Sequence, residues 1–140
     1  MTAPDASSPA AALAEPAVLD ASAVLAWLRG EPGAEMVDAL LSTGIMSAAN
    51  WSEVWQKLCQ HGVDADRATS RLRTLGVRVE PLTEADAVAA ANLWTRTRAA
   101  GLSLGDRCCL ALGNRLELTT VTADQVWEGL DLDIPILTIR

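Results

Sequence analysis

The chain has 140 residues, is half hydrophobic with 21% charged residues, and carries a net charge of −7. That length suits one domain with a single core, and the hydrophobic share excludes a disordered chain. The acidic balance excludes broad, charge-driven nucleic-acid binding, so any such contact has to be local.

Met1 to Pro16 is rich in Ala, Pro and Ser, lacks a basic start, and has its apolar run broken by Glu15 and Pro16. It reads as neither signal peptide nor membrane span, and residues 1–16 are expected to be a disordered extension before a domain spanning 17–140. Ala17 to Leu19 predicts a buried strand ending at Asp20, and Ala21 to Leu28 a helix closed by Gly30. A helix from Ala34 to Leu41, a short strand from Gly44 to Ser47 and a longer helix from Ala48 to Gln60 follow. Ala65 to Leu75 predicts a helix, Val77 to Pro81 a strand, and Thr83 opens a helix through about Ala99, with Asp86 completing a capping box. The chain closes with a helix from Leu104 to Leu112, a strand from Leu118 to Thr122, a helical turn from Asp124 to Glu128 and a strand from Ile134 to Ile139. Strands alternating with helices predict an α/β fold, a central mainly parallel sheet covered on both faces.

Four acids recur along the chain, Asp20, Glu53, Asp106 and Asp124, and three of them sit where an apolar stretch meets a turn or a helix start. In parallel sheets ligands bind outside the carboxyl ends of the strands, and acids gathered there repel one another unless a hard divalent cation neutralises them. Each also has a structural reading. Asp20 and Asp124 suit helix N-caps, Ser103 with Asp106 has capping-box spacing, and Glu53 with Lys57 has the order of a helical ion pair.

Other residues narrow the chemistry. His61 is the only histidine and suits a helix end, so histidine-dependent catalysis is unsupported. Cys59, Cys108 and Cys109 show neither disulfide nor zinc spacing and read as reduced, buried thiols of a cytoplasmic protein. Ten of the eleven basic residues are Arg, which suits bidentate phosphate recognition where they cluster. Phe and Tyr are absent, leaving five tryptophans for packing or stacking. Trp51 and Trp55, with the flanking apolar helices, are candidates for a groove that takes an amphipathic partner helix, or for plain core.

The wording around the four acids, VLDASAVLAWL, SAANWSEVWQKL, GLSLGDRCCLALG and TTVTADQVW, resembles PIN-domain ribonucleases of the VapC toxin type. The most specific part is GLSLGDRCCLAL followed by TAD, whose acid lies eighteen residues after Asp106. The resemblance covers Val18 to the C-terminus; the stretch before it is longer than the family's usual. It implies a three-layer α/β/α PIN-like domain and the toxin of a toxin-antitoxin pair, an endoribonuclease using Mg2+ or Mn2+ that leaves 5′-phosphate and 3′-hydroxyl ends. It also implies an acidic quartet of Asp20, Glu53, Asp106 and Asp124 that holds metal and is catalytic, with Ser22, Asn50 and Thr122 as polar support. Arg107, Trp51 and Trp55 are candidate contacts to substrate or partner. The implied partners are RNA, a cognate antitoxin, a second copy of the chain and a toxin-antitoxin hetero-oligomer, with no membrane. The alternative is a non-catalytic partner-binding module that keeps the same fold.

Overall fold

The computed structural model describes residues 15–140. The expected disordered extension lies outside them except for Glu15 and Pro16, which are exposed. In chain order the elements are β1 (Ala17–Leu19), α1 (Ala21–Arg29), α2 (Ala34–Asp38), β2 (Gly44–Ser47), α3 (Ala48–Gln60), α4 (Ala65–Leu75), β3 (Arg78–Glu80), α5 (Glu84–Asn92), α6 (Trp94–Thr97), α7 (Leu104–Leu116), β4 (Thr120–Thr122) and β5 (Ile136–Thr138). Single 3-10 turns stand at Leu41–Thr43, Arg98–Ala100 and Gln125–Gly129.

The five strands form one sheet in the order β3-β2-β1-β4-β5. Every pairing is parallel, so the expected mainly parallel sheet is wholly so. Strands β1, β2 and β4 are buried throughout, because helices cover both faces of the sheet; the buried hydroxyls of Ser47 and Thr122 at their ends are taken up in hydrogen bonds. Alternate side chains divide the core. Leu19, Met46 and Val121 join α1, α2, α3 and α4 on one face, while Val18 and Ile45 join Cys109, Leu110 and Leu112 of α7 on the other. Ala90 of α5 packs on Cys108 and Ala111 of α7, outside that second layer.

This order places a switch at the sheet centre. Connections from β1 run to β2 and β3 on one side, and the chain then returns to lay β4 against the opposite edge of β1. Asp20 leaves β1 and Thr122 ends β4 at the same level, joined by the Asp20 N–H donating to Val121 O at 2.8 Å. Strand ends that diverge in this way open a crevice for ligands.

Three predicted helices change length. The helix expected from Ala34 to Leu41 stops at Asp38; Leu40 and Leu41 are buried, and the chain tightens into a 3-10 turn to enter β2 at Gly44. The helix expected to run from Thr83 to about Ala99 breaks at Leu93, where Thr97 Oγ1 donates back to Leu93 O at 2.8 Å, a bond that bends helices. The last helix runs on to Leu116, closed by Glu117 in the left-handed conformation (φ 56°). The helical turn expected after Asp124 forms as a 3-10 turn over Gln125–Gly129.

Two capping boxes predicted from spacing form as expected, Thr83 with Asp86 and Ser103 with Asp106. Gly76 closes α4 at φ +118°, and a Cβ there would stand 2.7 Å from Ser42 Cα, so conformation and space both require glycine. Asp86 is buried and takes two bonds from Arg115, at 2.8 and 3.1 Å, tying α5 to α7. Burial alone would push this carboxyl up, yet the Arg115 guanidinium and the Thr83 hydrogen bonds hold it below its usual value.

Gly113 marks the closest approach of α7 to the sheet: a methyl there would strike Thr120 Oγ1 of β4 and lie 3.5 Å from Leu118 O. Gly113→Ala is expected to destabilise the protein by about 1–2 kcal/mol, overpacking outweighing the gain in helix propensity. Urea unfolding measures this, and unchanged stability would mean α7 moves off β4 freely.

Candidate active site

Asp20 occupies the N-cap position of α1, but its side chain makes no capping bond. Its carboxylate instead faces β4. Oδ2 accepts from Ser22 Oγ at 2.6 Å and from Thr122 Oγ1 at 3.0 Å. Those two hydroxyls are themselves set by backbone donors, Ala123 N–H to Ser22 Oγ at 3.0 Å and Asp124 N–H to Thr122 Oγ1 at 3.1 Å. Each hydroxyl receives an amide on one lone pair and stands within hydrogen-bond reach of Asp20 Oδ2, and the two hydroxyls also lie 3.1 Å from each other, so the three side chains form one hydrogen-bonded group. Oδ1 is buried and has no hydrogen-bond partner among the described residues. The carboxyl is pushed up to about 6, chiefly by burial and further by Asp106, against the hydrogen bonds of Ser22 and Thr122.

Glu53 reaches the same region from the second turn of α3. Its Oε1 accepts from Asn50 Nδ2 at 3.3 Å, and that amide also donates to Gly105 O at 3.0 Å, so α3 and α7 meet at this side chain. Burial, with Asp20 and Asp106 next in weight, pushes Glu53 up to about 7 despite the Asn50 hydrogen bond and Lys57. Lys57 acts only at a distance: among the described residues the expected Glu53–Lys57 ion pair does not form. Asp106 is the third residue of α7. Its Oδ2 accepts from Ser103 N–H at 2.9 Å in the capping box, while its charge acts on both Asp20 and Glu53.

Asp20, Glu53 and Asp106 therefore form one electrostatically coupled set, and Asp124 stands apart. It is exposed, and its Oδ1 accepts from Val126 N–H at 3.0 Å as the cap of the 3-10 turn. It lines, with Ser22, Gln125 and Arg140, an open cavity of about 660 Å³ beside the Asp20 hydroxyl pair. Among the described residues no three acidic, histidine or cysteine side chains converge closely enough to hold a metal ion. The donor set nonetheless suits a hard cation, with carboxylate and hydroxyl oxygens and one buried carboxylate oxygen lacking a partner.

The remaining candidates have other attachments. Arg107 donates from Nη1 to Ala90 O at 2.8 Å, bridging α7 to α5. Trp51 is half-buried under Arg73, whose guanidinium lies 5.0 Å from the ring centroid, and Trp55 is exposed. Of the other tryptophans only Trp127 is fully buried. Cys59 is exposed, contrary to the expectation of three buried thiols, because it faces away from the core on α3. Burial pushes the Cys108 and Cys109 thiols up, which leaves them unreactive. His61 caps α3 as expected, its Nδ1 lying 2.8 Å from Lys57 O. Gly105 is the site residue that sequence reasoning missed; its signal was a glycine within the first turn of an otherwise good helix.

The chain belongs to the PIN-domain family, whose model matches residues 17–131. Comparison with curated proteins finds no significant match. Among solved structures the fold is similar to a toxin-antitoxin complex from Klebsiella pneumoniae at 18% identity and a TM-score of 0.70, covering 89% of this chain and 98% of that one. FitAcB from Neisseria gonorrhoeae is similar at 20% identity and 0.67, covering 88% and 97%. VapC20 from Mycobacterium tuberculosis, described as a sarcin-ricin loop cleaving toxin, is similar at 17% identity and 0.64, covering 85% and 99%. Among the described residues no helix is long and apolar enough to cross a membrane.

The raised carboxyls make a signed prediction for the metal-free protein. An acid with a higher pKa folded than unfolded contributes stability that is present below its unfolded value and lost as pH rises through its folded value. Asp20, from 3.8 to about 6, and Glu53, from 4.5 to about 7, should therefore make the protein less stable at pH 8 than at pH 5. Asp20→Asn should flatten this dependence and raise metal-free stability at pH 8 by about 1–2 kcal/mol, less than the full shift implies because neighbouring acids remain. Thermal unfolding across that range in EDTA tests it; a variant less stable than wild type at pH 8 would refute it.

Proposed function

We propose that the protein is an endoribonuclease dependent on Mg2+ or Mn2+ that serves as the toxin of a toxin-antitoxin pair. The observation carrying this reading is Asp20, a carboxylate buried at the β1/β4 switch with two hydroxyls on Oδ2 and, among the described residues, no hydrogen-bond partner on Oδ1. A buried acid with an unsatisfied oxygen beside two further acids is a costly arrangement, and a cation would relieve it. Asp20 would hold that ion with Glu53 and Asp106. Mg2+ needs only one or two carboxylates and retains several waters, which accommodates acids that do not converge in threes.

Such an ion supplies Lewis-acid polarisation of a scissile phosphate and activation of water. The chain's part is to orient. Ser22 and Thr122 fix the Asp20 carboxylate, Asn50 fixes Glu53, and the capping box fixes Asp106 while its second oxygen stays outside that box. Asp124, on the open cavity, stands where substrate would enter. Attack by water rather than by the RNA's own 2′-hydroxyl would leave 5′-phosphate and 3′-hydroxyl ends, and with its sole histidine capping a distant helix end the chain has no obvious group for the metal-free route.

Family membership and the described natures of the similar structures, a toxin-antitoxin complex and a toxin that cleaves the sarcin-ricin loop, support the toxin reading. A net charge of −7 suits a basic antitoxin segment, and the exposed ring of Trp55 on α3 offers such a segment an apolar contact. The same reading implies a homodimer, a hetero-oligomer with antitoxin and a cytoplasmic location. One observation favours the rival reading of a non-catalytic binding module: Asp106 and Asp124 each commit an oxygen to capping a helical turn.

Antitoxin-free protein incubated with total RNA and Mg2+ or Mn2+ should give discrete cuts. EDTA should abolish them, and Asp20→Asn or Asp106→Asn should each lower the rate at least about a hundredfold. Undiminished cleavage in excess EDTA or by Asp20→Asn would refute the mechanism. Folded, metal-loaded protein that leaves every RNA intact would favour the binding module.

A further inference from the structure

We propose that Gly105 and Asn50 form a seat for the Glu53 carboxylate, with the absent side chain of Gly105 as the space that sets this acid beside Asp20 and Asp106. A Cβ built on Gly105 would coincide with Glu53 Oε1 and stand 2.7 Å from Glu53 Cδ. Real Cβ atoms do not approach so closely, so any other residue at 105 evicts the carboxylate from its present place.

The backbone gives no separate reason for glycine. Gly105 lies inside α7 and is not among the glycines with positive φ, which are Gly30, Gly33, Gly62, Gly76 and Gly101. Within a helix glycine is less favourable than alanine. What the position gains is room, and that room is filled by Glu53.

Asn50 closes the seat from the other side. It is fully buried, and its Nδ2 donates to both Glu53 Oε1 and Gly105 O. Both partners are acceptors, which fixes the orientation of the amide. One NH2 group thus ties the acid of α3 to the backbone of α7 two bonds' reach from Asp106. Gly105 and Asn50 are positioning residues: neither needs to touch substrate, and both act through Glu53.

The seat is a steric statement, and its consequence for metal binding rests on the nuclease reading; a double-mutant cycle separates the two. Wild type, Gly105→Ala, Glu53→Ala and the double variant are compared by urea unfolding in EDTA and by calorimetric titration with Mn2+. Gly105→Ala is expected to raise the unfolding midpoint less in the wild-type background, where the flexible Glu53 side chain must give way and lose its Asn50 hydrogen bond, than in the Glu53→Ala background, where the space is open and only the gain in helix propensity remains. Mn2+ affinity is expected to fall at least tenfold in Gly105→Ala and no further in the double variant than in Glu53→Ala. A Gly105→Ala protein that folds only in the Glu53→Ala background supports the seat equally. Equal midpoint shifts in the two backgrounds would overturn it, as would wild-type Mn2+ affinity in Gly105→Ala. Coupled midpoints in a protein that binds no Mn2+ would uphold the seat and refute the metal site.

Discussion

The buried carboxylate of Asp20 is the constraint around which the rest is arranged. It sits at the carboxyl end of the central strand, where the chain's connections diverge, and its burial follows from the fold rather than from any local choice. A carboxylate there must be partnered or pushed toward its neutral form. The chain partners one oxygen with Ser22 and Thr122, and among the described residues the other has no hydrogen-bond partner. Half-satisfaction is unusual in an interior where polar groups are nearly always paired. Glu53 and Asp106 add repulsion instead of relief, so the cost is concentrated at one spot.

Structural and chemical roles of the acids are not alternatives. Asp106 completes a capping box through Oδ2, and the same box fixes the start of α7, hence the place of its charge relative to Asp20. Asp124 caps a 3-10 turn, while its backbone N–H holds the Thr122 hydroxyl that serves Asp20. A cap is a means of aiming a carboxylate, because the hydrogen bond that stabilises the helix also removes the side chain's freedom.

Much of this was legible in the residues. Strand β1 announces itself as a short apolar run because both faces of a parallel sheet are covered, whereas β4 is Thr-Val-Thr; of the coupled acids Asp20 follows such a run and Asp106 lies in the first turn of a helix, while Glu53 lies in the second turn of its own. Spacing showed both capping boxes, which are local. What spacing cannot show is where elements meet. The break at Leu93 coincides with Thr97 bonding backwards, a bond that Thr69 and Thr74 also make in α4 without breaking it. The Asp86–Arg115 tie joins residues 29 apart, and the Gly105–Glu53 contact joins two helices that no periodicity relates. Asp124 combines both kinds of information: its position at a strand end sets it on the cavity beside Ser22, while one of its carboxylate oxygens caps its own helical turn.

The distribution of basic charge completes the argument. Arg71, Arg73 and Arg98 lie over tryptophan rings, Arg78, Arg115 and Arg140 pair with acids, and Arg96 and Arg107 donate to backbone carbonyls. Most of the arginines that could meet a phosphate are thus engaged within the fold, and the chain remains acidic by seven charges. Under the proposed reading the attraction for RNA has to come from the cation, since a cluster of bare carboxylates repels phosphate and a neutralised one does not. Metal and substrate binding are then coupled in sign: whatever weakens the hold of Asp20, Glu53 and Asp106 on the ion also restores the repulsion that keeps RNA away.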